Sequence, residues 1–423
     1  MKKIIVYLSL LGIISCTTSS KMPLTSLSSL QAKNPKNVIL LIVDGMGFSY
    51  LEALKIYQGN KALLVDEFLC KTHVTTCSLN GSDADGRCIK DTTNVTDSAA
   101  SATAIATGIK VENKVISIKN NKNLKTILEK YQDLNKSTGI VATKLMSDAT
   151  PAAFASHAYD RKDTQTIVNS MFNQVMPTLV LAADTDLHKD YATKSSANYK
   201  MIANLTQLNS LVKDLETKPC NGKNCPNIYG GFAQHSFIPN VIDTKVGLPL
   251  EITPKSYFES HDLPHLSDMA FAALSILKQN QQGFFLMLES SMPDMVGHFN
   301  KIIDSTPKSP PAIAVLIREM IELEKTIKVM TEFVKNNPDT LLIITADHET
   351  GGLVIDSEDT TCLGAEYCLP SVKWTSKLES KKDGLIAEHT NVDVPLFATG
   401  LGAEKFCQEH INNTDIIKLI LNE

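Results

Sequence analysis

The chain has 423 residues, 43% of them hydrophobic and 21% charged, with a formal net charge of −5. That length admits one large α/β domain with insertions or two modest domains, and the apolar fraction suffices for a sizeable core, which excludes a disordered chain. No long basic run accompanies the negative charge, so nucleic acid is not an expected partner; a small anion still is, because local cations outweigh the charge of the whole molecule.

Residues 1–15 join Lys2 and Lys3 to an apolar run over 4–14, too short to span a bilayer and suited to an export signal peptide. Ile13-Ile14-Ser15-Cys16 resembles a bacterial lipobox, so Cys16 is expected to become the lipidated first residue of a mature protein anchored at the periplasm or cell surface. Losing Lys2 and Lys3 with the signal takes the charge from −5 to −7. The rest of 16–36 is rich in Ser and Thr and reads as a flexible tether. Without Cys16, eight of the nine cysteines remain, an even count that an oxidising compartment allows. Short separations favour Cys77 with Cys88, Cys220 with Cys225 and Cys362 with Cys368, leaving Cys70 and Cys407 as a long-range bridge or as free thiols. None shows the CxxC spacing of a structural zinc site.

From residue 37 onward, short apolar runs end in polar residues: VILLIVD reaches Asp44, GIVATK precedes Asp148, FFLMLE reaches Glu289 and LLIITAD reaches Asp347. Runs this short, rich in Ile, Val and Leu without strict alternation, suit strands buried on both faces. Helix-period segments over 124–134, 265–279 and 312–334 lie between them. The expected fold is therefore an α/β three-layer sandwich, a central and largely parallel sheet flanked by helices, with surface insertions near 70–95, 215–235 and 357–383. In such sheets ligands gather beyond the carboxyl ends of the strands, where these segments can share one cleft.

Between the first two runs, Thr96-Asp97-Ser98 opens an alanine-rich helix that ends near Gly108. Either Asp97 or Ser98 is an ordinary N-cap there; alternatively, Ser98 is a nucleophile at a helix N-terminus, whose free amides and partial positive charge attract phosphate. The later segments decide between these readings. Asp44 in VDGMG alone is a turn residue, and Asp294 and His298 alone are a surface pair four apart on a helix. Together with Asp347, His348 and His389 they make two sets of carboxylates and imidazoles with open positions, as catalytic zinc requires. Asp44, Thr150 and Glu289 form an oxygen-only group suited to Mg²⁺. Arg161 offers a planar fork for two phosphate oxygens, where a lone arginine beside Asp160 would be a surface ion pair. His73, His157, His188, His235, His261, His265 and His410 lack partners at telling spacings and read as structural or surface residues, with His157, between Thr150 and Arg161, the foremost exception.

With these motifs assembled, the chain from about residue 37 to its end resembles the alkaline phosphatase family. The resemblance implies hydrolysis of phosphate monoesters through a phosphoserine on Ser98, two Zn²⁺ and one Mg²⁺, and a homodimer. Asp294, His298 and His389 would hold one zinc and Asp44, Asp347 and His348 the other; Asp44 would also reach Mg²⁺ with Thr150 and Glu289, and Asp148 would steady water around it. Arg161 would clamp phosphate, oriented by Asp97. Met295 departs from the pattern, since enterobacterial members carry Lys and mammalian ones His there. The cleft is thus expected to lose a cationic or titratable neighbour there, with weaker phosphate retention and an altered pH optimum relative to the lysine type. A phosphodiesterase of the same superfamily and a non-catalytic surface lipoprotein that binds phosphorylated ligands are the competing readings.

Overall fold

The computed structural model describes residues 34–89, 94–233, 262–305, 311–362, 368–381 and 384–423. The signal peptide, Cys16, most of the tether, His235 and His261 lie outside the described residues. Ten strands form the central sheet: β1 (Asn37–Val43), β2 (Cys70–Thr75), β3 (Ser137–Leu145), β4 (Leu179–Asp184), β5 (Lys200–Ile202), β6 (Ile228–Ala233), β7 (Phe284–Ser290), β8 (Thr340–Thr345), β9 (Val394–Gly400) and β10 (His410–Asn412). Their spatial order is β10-β2-β9-β8-β1-β7-β3-β4-β6-β5. All neighbours run parallel except β9, which is antiparallel to both β8 and β2. The innermost strands, NVILLIV in β1 and FFLMLES in β7, are buried along their whole length, because helices cover both faces of the sheet. Among those helices are Leu266–Leu277 and Ala312–Asn336, close to the segments marked by their period.

The central sheet claims two segments that sequence assigns to surface insertions. β2 begins the 70–95 segment and β6 lies within 215–235. β2 alternates buried and exposed residues near the sheet edge, so it lacks a continuous apolar run. In β6, IYGGFA, two glycines interrupt the run, and a Cβ on Gly230 would stand 2.5 Å from Leu181 Cδ2. The backbone there packs too closely for a side chain. Outside the sheet, Leu353–Cys362 pairs with Cys368–Trp374 and Leu378–Lys381 with Gly384–Ala387 as separate hairpins, which overrun the insertion expected at 357–383 on both sides. Disulfides join Cys70 to Cys407, Cys77 to Cys88 and Cys220 to Cys225, so the long-range pair is a bridge. Backbone register sets Cys362 opposite Cys368, while their side chains lie outside the described residues.

Strand register explains the convergence. Ile42 of β1 stands opposite Glu289 of β7 on one side and Thr345 of β8 on the other, so the chain leaves three neighbouring strands at one end carrying Asp44, Glu289 and Asp347. β9 enters from that same end, with Leu396 opposite Thr345, and brings His389 from just upstream.

Candidate active site

Ser98 begins the helix Ser98–Thr107, which Gly108 closes in the left-handed conformation at φ 75°. Asp97 is the N-cap: its Oδ1 accepts from the Ala100 amide at 3.0 Å, while Oδ2 accepts from the Lys114 amide at 3.0 Å and from Arg161 Nη1 at 3.2 Å. Capping and the orientation of Arg161 are therefore tasks of one carboxylate. Ser98 is buried, and its Oγ lies 3.2 Å from His348 Nε2.

Around Ser98 the two ligand sets assemble as separate groups. Asp44, Asp347 and His348 form one, with His348 Nε2 3.2 Å from Asp347 Oδ2 and 3.7 Å from Asp44 Oδ1. The other holds Asp294, His298 and His389: the two Nε2 atoms are 3.0 Å apart, and Asp294 Oδ1 is 3.4 Å from His298 Nε2 and 3.6 Å from His389 Nε2. Ligand atoms on a tetrahedral zinc, each roughly 2.0–2.2 Å from the ion, stand roughly 3.3 Å apart, a spacing the measured distances in both sets approach, and Ser98 Oγ lies at a comparable distance from His348 Nε2 in the first. His298 Nδ1 faces the Ala387 carbonyl and His389 Nδ1 the Thr96 carbonyl, leaving each Nε2 turned inward as a ligating imidazole requires.

The oxygens expected around Mg²⁺, together with one of Asp347, stand out in another way. Asp44 Oδ1, Thr150 Oγ1, both Glu289 oxygens and Asp347 Oδ2 are buried without a hydrogen bond. Buried carboxylate oxygens in that condition are costly unless a cation meets them. Burial, helped by the charge of Asp148, pushes Glu289 up to about 8; burial and Asp294 push Asp347 up to about 6. Burial together with Asp347 and Asp294 also raises Asp44 well above the usual carboxylate range. Asp294 goes the other way: burial opposes its charge, but His298 and His389 hold it far below that range.

Two participants escaped the sequence reading. Thr350 Oγ1 donates to Asp294 Oδ1 at 2.7 Å and lies 3.2 Å from His348 Nδ1, joining the two ligand sets. Lys144, at the end of β3, places Nζ 2.5 Å from Asp148 Oδ2, while Arg161 Nη2 lies 3.2 Å from Asp148 Oδ1. Burial opposes the Lys144 charge, but Asp148 and Asp294 outweigh it and keep the ammonium protonated; Lys144 and Arg161 likewise hold Asp148 well below its usual value although burial acts against them. Met295 leaves no cation at its own position, yet the cleft is not short of one: Lys144 brings an ammonium from another strand. Lys144 stands four residues before Asp148, but it ends a strand, where that spacing carries no helical meaning. His157 is structural, with Nδ1 2.9 Å from the Ser117 carbonyl and Nε2 3.4 Å from Glu129, the residue that completes the Thr126 capping box.

The family model for alkaline phosphatase matches residues 35–195 and 167–373. Alkaline phosphatase 3 of Bacillus subtilis is 31% identical over 334 residues, which span 76% of this chain and 63% of that protein. Alkaline phosphatase of Escherichia coli is 27% identical, the match covering 88% of this chain and 82% of its own. In structure, the alkaline phosphatase of the Antarctic bacterium TAB5 superposes with a TM-score of 0.64 at 26% identity, over 93% of this chain and 98% of that one; a variant of that enzyme is described with bound Mg. A sheet of this order, carrying these groups at one end and matching over this length, places the chain in the alkaline phosphatase family of phosphate-ester hydrolases.

Proposed function

We propose that the protein is a metal-dependent phosphate monoesterase that works through a phosphoserine on Ser98. The observation that carries this reading is the position of Ser98 Oγ at 3.2 Å from His348 Nε2, on the edge of one ligand set with the second set joined to it through Thr350. Asp294, His298 and His389 would hold one Zn²⁺, Asp44, Asp347 and His348 another, and Asp44, Thr150 and Glu289 a Mg²⁺. When bound, such ions neutralise charge on the attacking and departing oxygens and lower the pKa of nearby water.

The chain's own groups do the rest. Asp97 and Asp148 each hold one terminal nitrogen of Arg161 and so fix the plane of its fork, which can then take two phosphate oxygens. Ser98 Oγ attacks phosphorus from the N-terminus of its helix, where free amides favour the dianion; the Oγ–P bond forms as the ester P–O bond breaks and the alcohol leaves. Water then attacks the phosphoserine, releasing inorganic phosphate and restoring the Ser98 hydroxyl. A second ester substituent would remove a charged oxygen from the Arg161 fork. The protein should therefore turn over p-nitrophenyl phosphate readily and bis(p-nitrophenyl) phosphate poorly; the reverse preference would favour a phosphodiesterase, and no turnover of either a binding protein.

Export with a lipid anchor on Cys16, and a homodimer, complete the proposal; the basic and apolar leader, the lipobox and three disulfides support the exported address. Intact mass of the membrane-extracted protein tests the anchor, since a mature N-terminus beyond Cys16 without diacylglycerol contradicts it.

Stability without metal should depend on pH in a definite sense. Folded Glu289 keeps its proton up to about 8, against 4.5 for an ordinary glutamate, so between those values the folded state binds more protons than the unfolded chain. Metal-free protein then loses stability as pH rises through that window. Burial holds His348 and His298 below the usual imidazole value of 6.5, an opposing effect that is complete above it, so melting temperature after chelation should fall between about pH 6.5 and about pH 8, and added Zn²⁺ and Mg²⁺ should restore most at the upper end, where they replace the missing protons. A metal-free melting temperature that climbs over this interval contradicts the assignment.

A further inference from the structure

Among the described residues, a third convergence of imidazoles and a carboxylate lies outside the phosphate site. His73, Asp393 and His410 offer ligand atoms that all fall within 4.8 Å of one another. His73 is on β2 and His410 on β10, directly opposite it in a parallel pair. Asp393 precedes Val394, the first residue of β9, which pairs with Val74 beside His73. His410 Nδ1 is 3.4 Å from Asp393 Oδ2, and the two imidazole rings are 5.2 Å apart.

We propose that these three residues form an additional divalent-metal site at the sheet edge, distinct from the phosphate centre and selective for zinc-like cations. Two imidazoles and one carboxylate are the donor set of Zn²⁺ and its transition-metal neighbours, whereas Ca²⁺ and Mg²⁺ require mainly oxygen. Both histidines are exposed and Asp393 is half-buried, so an ion reaches the site directly and water fills its remaining positions. An ion pair between His410 and Asp393 needs no third group; the second imidazole converging on the same point is what a metal needs.

The scaffold holds this arrangement in place before any ion arrives. Strand register fixes the backbone of His73 and His410, and that of Val394 next to Asp393. The Cys70–Cys407 disulfide ties the chain three residues before His73 to the chain three residues before His410. Phe48 packs its ring 4.6 Å from that of His73, restricting its rotation. Little ordering is left to do on binding, which favours affinity. Bound metal would join the edge strand β10 to its neighbours and stabilise the fold by mass action.

The full chain, with its catalytic sites already loaded with Zn²⁺ and Mg²⁺, is titrated with further Zn²⁺ by calorimetry and its bound metal counted after dialysis. Wild type should take up one equivalent more than His410→Ala or Asp393→Asn, and its melting temperature alone should rise over that step; Ca²⁺ should not compete. Both variants should keep full p-nitrophenyl phosphate turnover. Equal stoichiometry in wild type and variants overturns the proposal. So does loss of the extra equivalent together with turnover, because that zinc would then belong to the phosphate centre.

Discussion

Ser98→Ala is expected to lower p-nitrophenyl phosphate turnover by about 10⁴-fold or more, because removing a nucleophile that acts together with its neighbours loses nearly the whole catalytic advantage of the group. Substrate binding should change little, since the fork of Arg161 is held by Asp97 and Asp148 and not by Ser98. The folded protein should persist: Asp97, not Ser98, caps the helix through the Ala100 amide. Residual turnover would come from direct attack of water on the ester. If the variant keeps wild-type turnover, Ser98 is merely the first residue of a capped helix.

Lys144→Met should raise both KM and the inhibition constant for inorganic phosphate by roughly 10- to 100-fold, the effect of a charged interaction worth about 1.5–3 kcal/mol. Lys144 and Arg161 share Asp148, one on each carboxylate oxygen. Without the ammonium, Asp148 is balanced by Arg161 alone and draws the guanidinium away from substrate, while Asp44 and Asp294, which both act on the Lys144 charge, repel the incoming dianion more strongly. Zinc content should stay the same, since Lys144 carries a charge and cannot ligate metal. Unchanged phosphate inhibition would mean that Lys144 does not serve the pocket, and the absence of a cation at Met295 would again be the relevant fact.

The residues legible in the sequence are those that end strands. Asp44, Glu289 and Asp347 follow uninterrupted apolar runs because the innermost strands are covered on both faces, and a carboxylate at the end of such a run is conspicuous. Asp294 and His298 are legible through helical spacing, and Ser98 through the alanine-rich helix it begins. His389 means little by itself and is placed only by the antiparallel entry of β9, which no local pattern reveals. Lys144 is hidden because a lysine ending a strand ordinarily reaches into water, and here a carboxylate one turn beyond holds it in the cleft. Thr350, small and uncharged, gives no signal beyond lying two residues after His348. β2 and β6 are missed for physical reasons: one face of β2 meets solvent, and β6 packs through glycine instead of bulky side chains. His73 and His410 have no common signal in the sequence, because only the parallel pairing of β2 with β10 makes them neighbours.

The proposed chemistry needs carboxylates and imidazoles from distant segments to meet around paired cations beside one hydroxyl. Anomalous diffraction at the zinc absorption edge, on crystals grown with Zn²⁺, tests this most directly. Two peaks are predicted in the cleft, one among Asp294, His298 and His389 and the other among Asp44, Asp347 and His348 on the Ser98 side. A cleft without anomalous density, or zinc held there by other side chains, contradicts it.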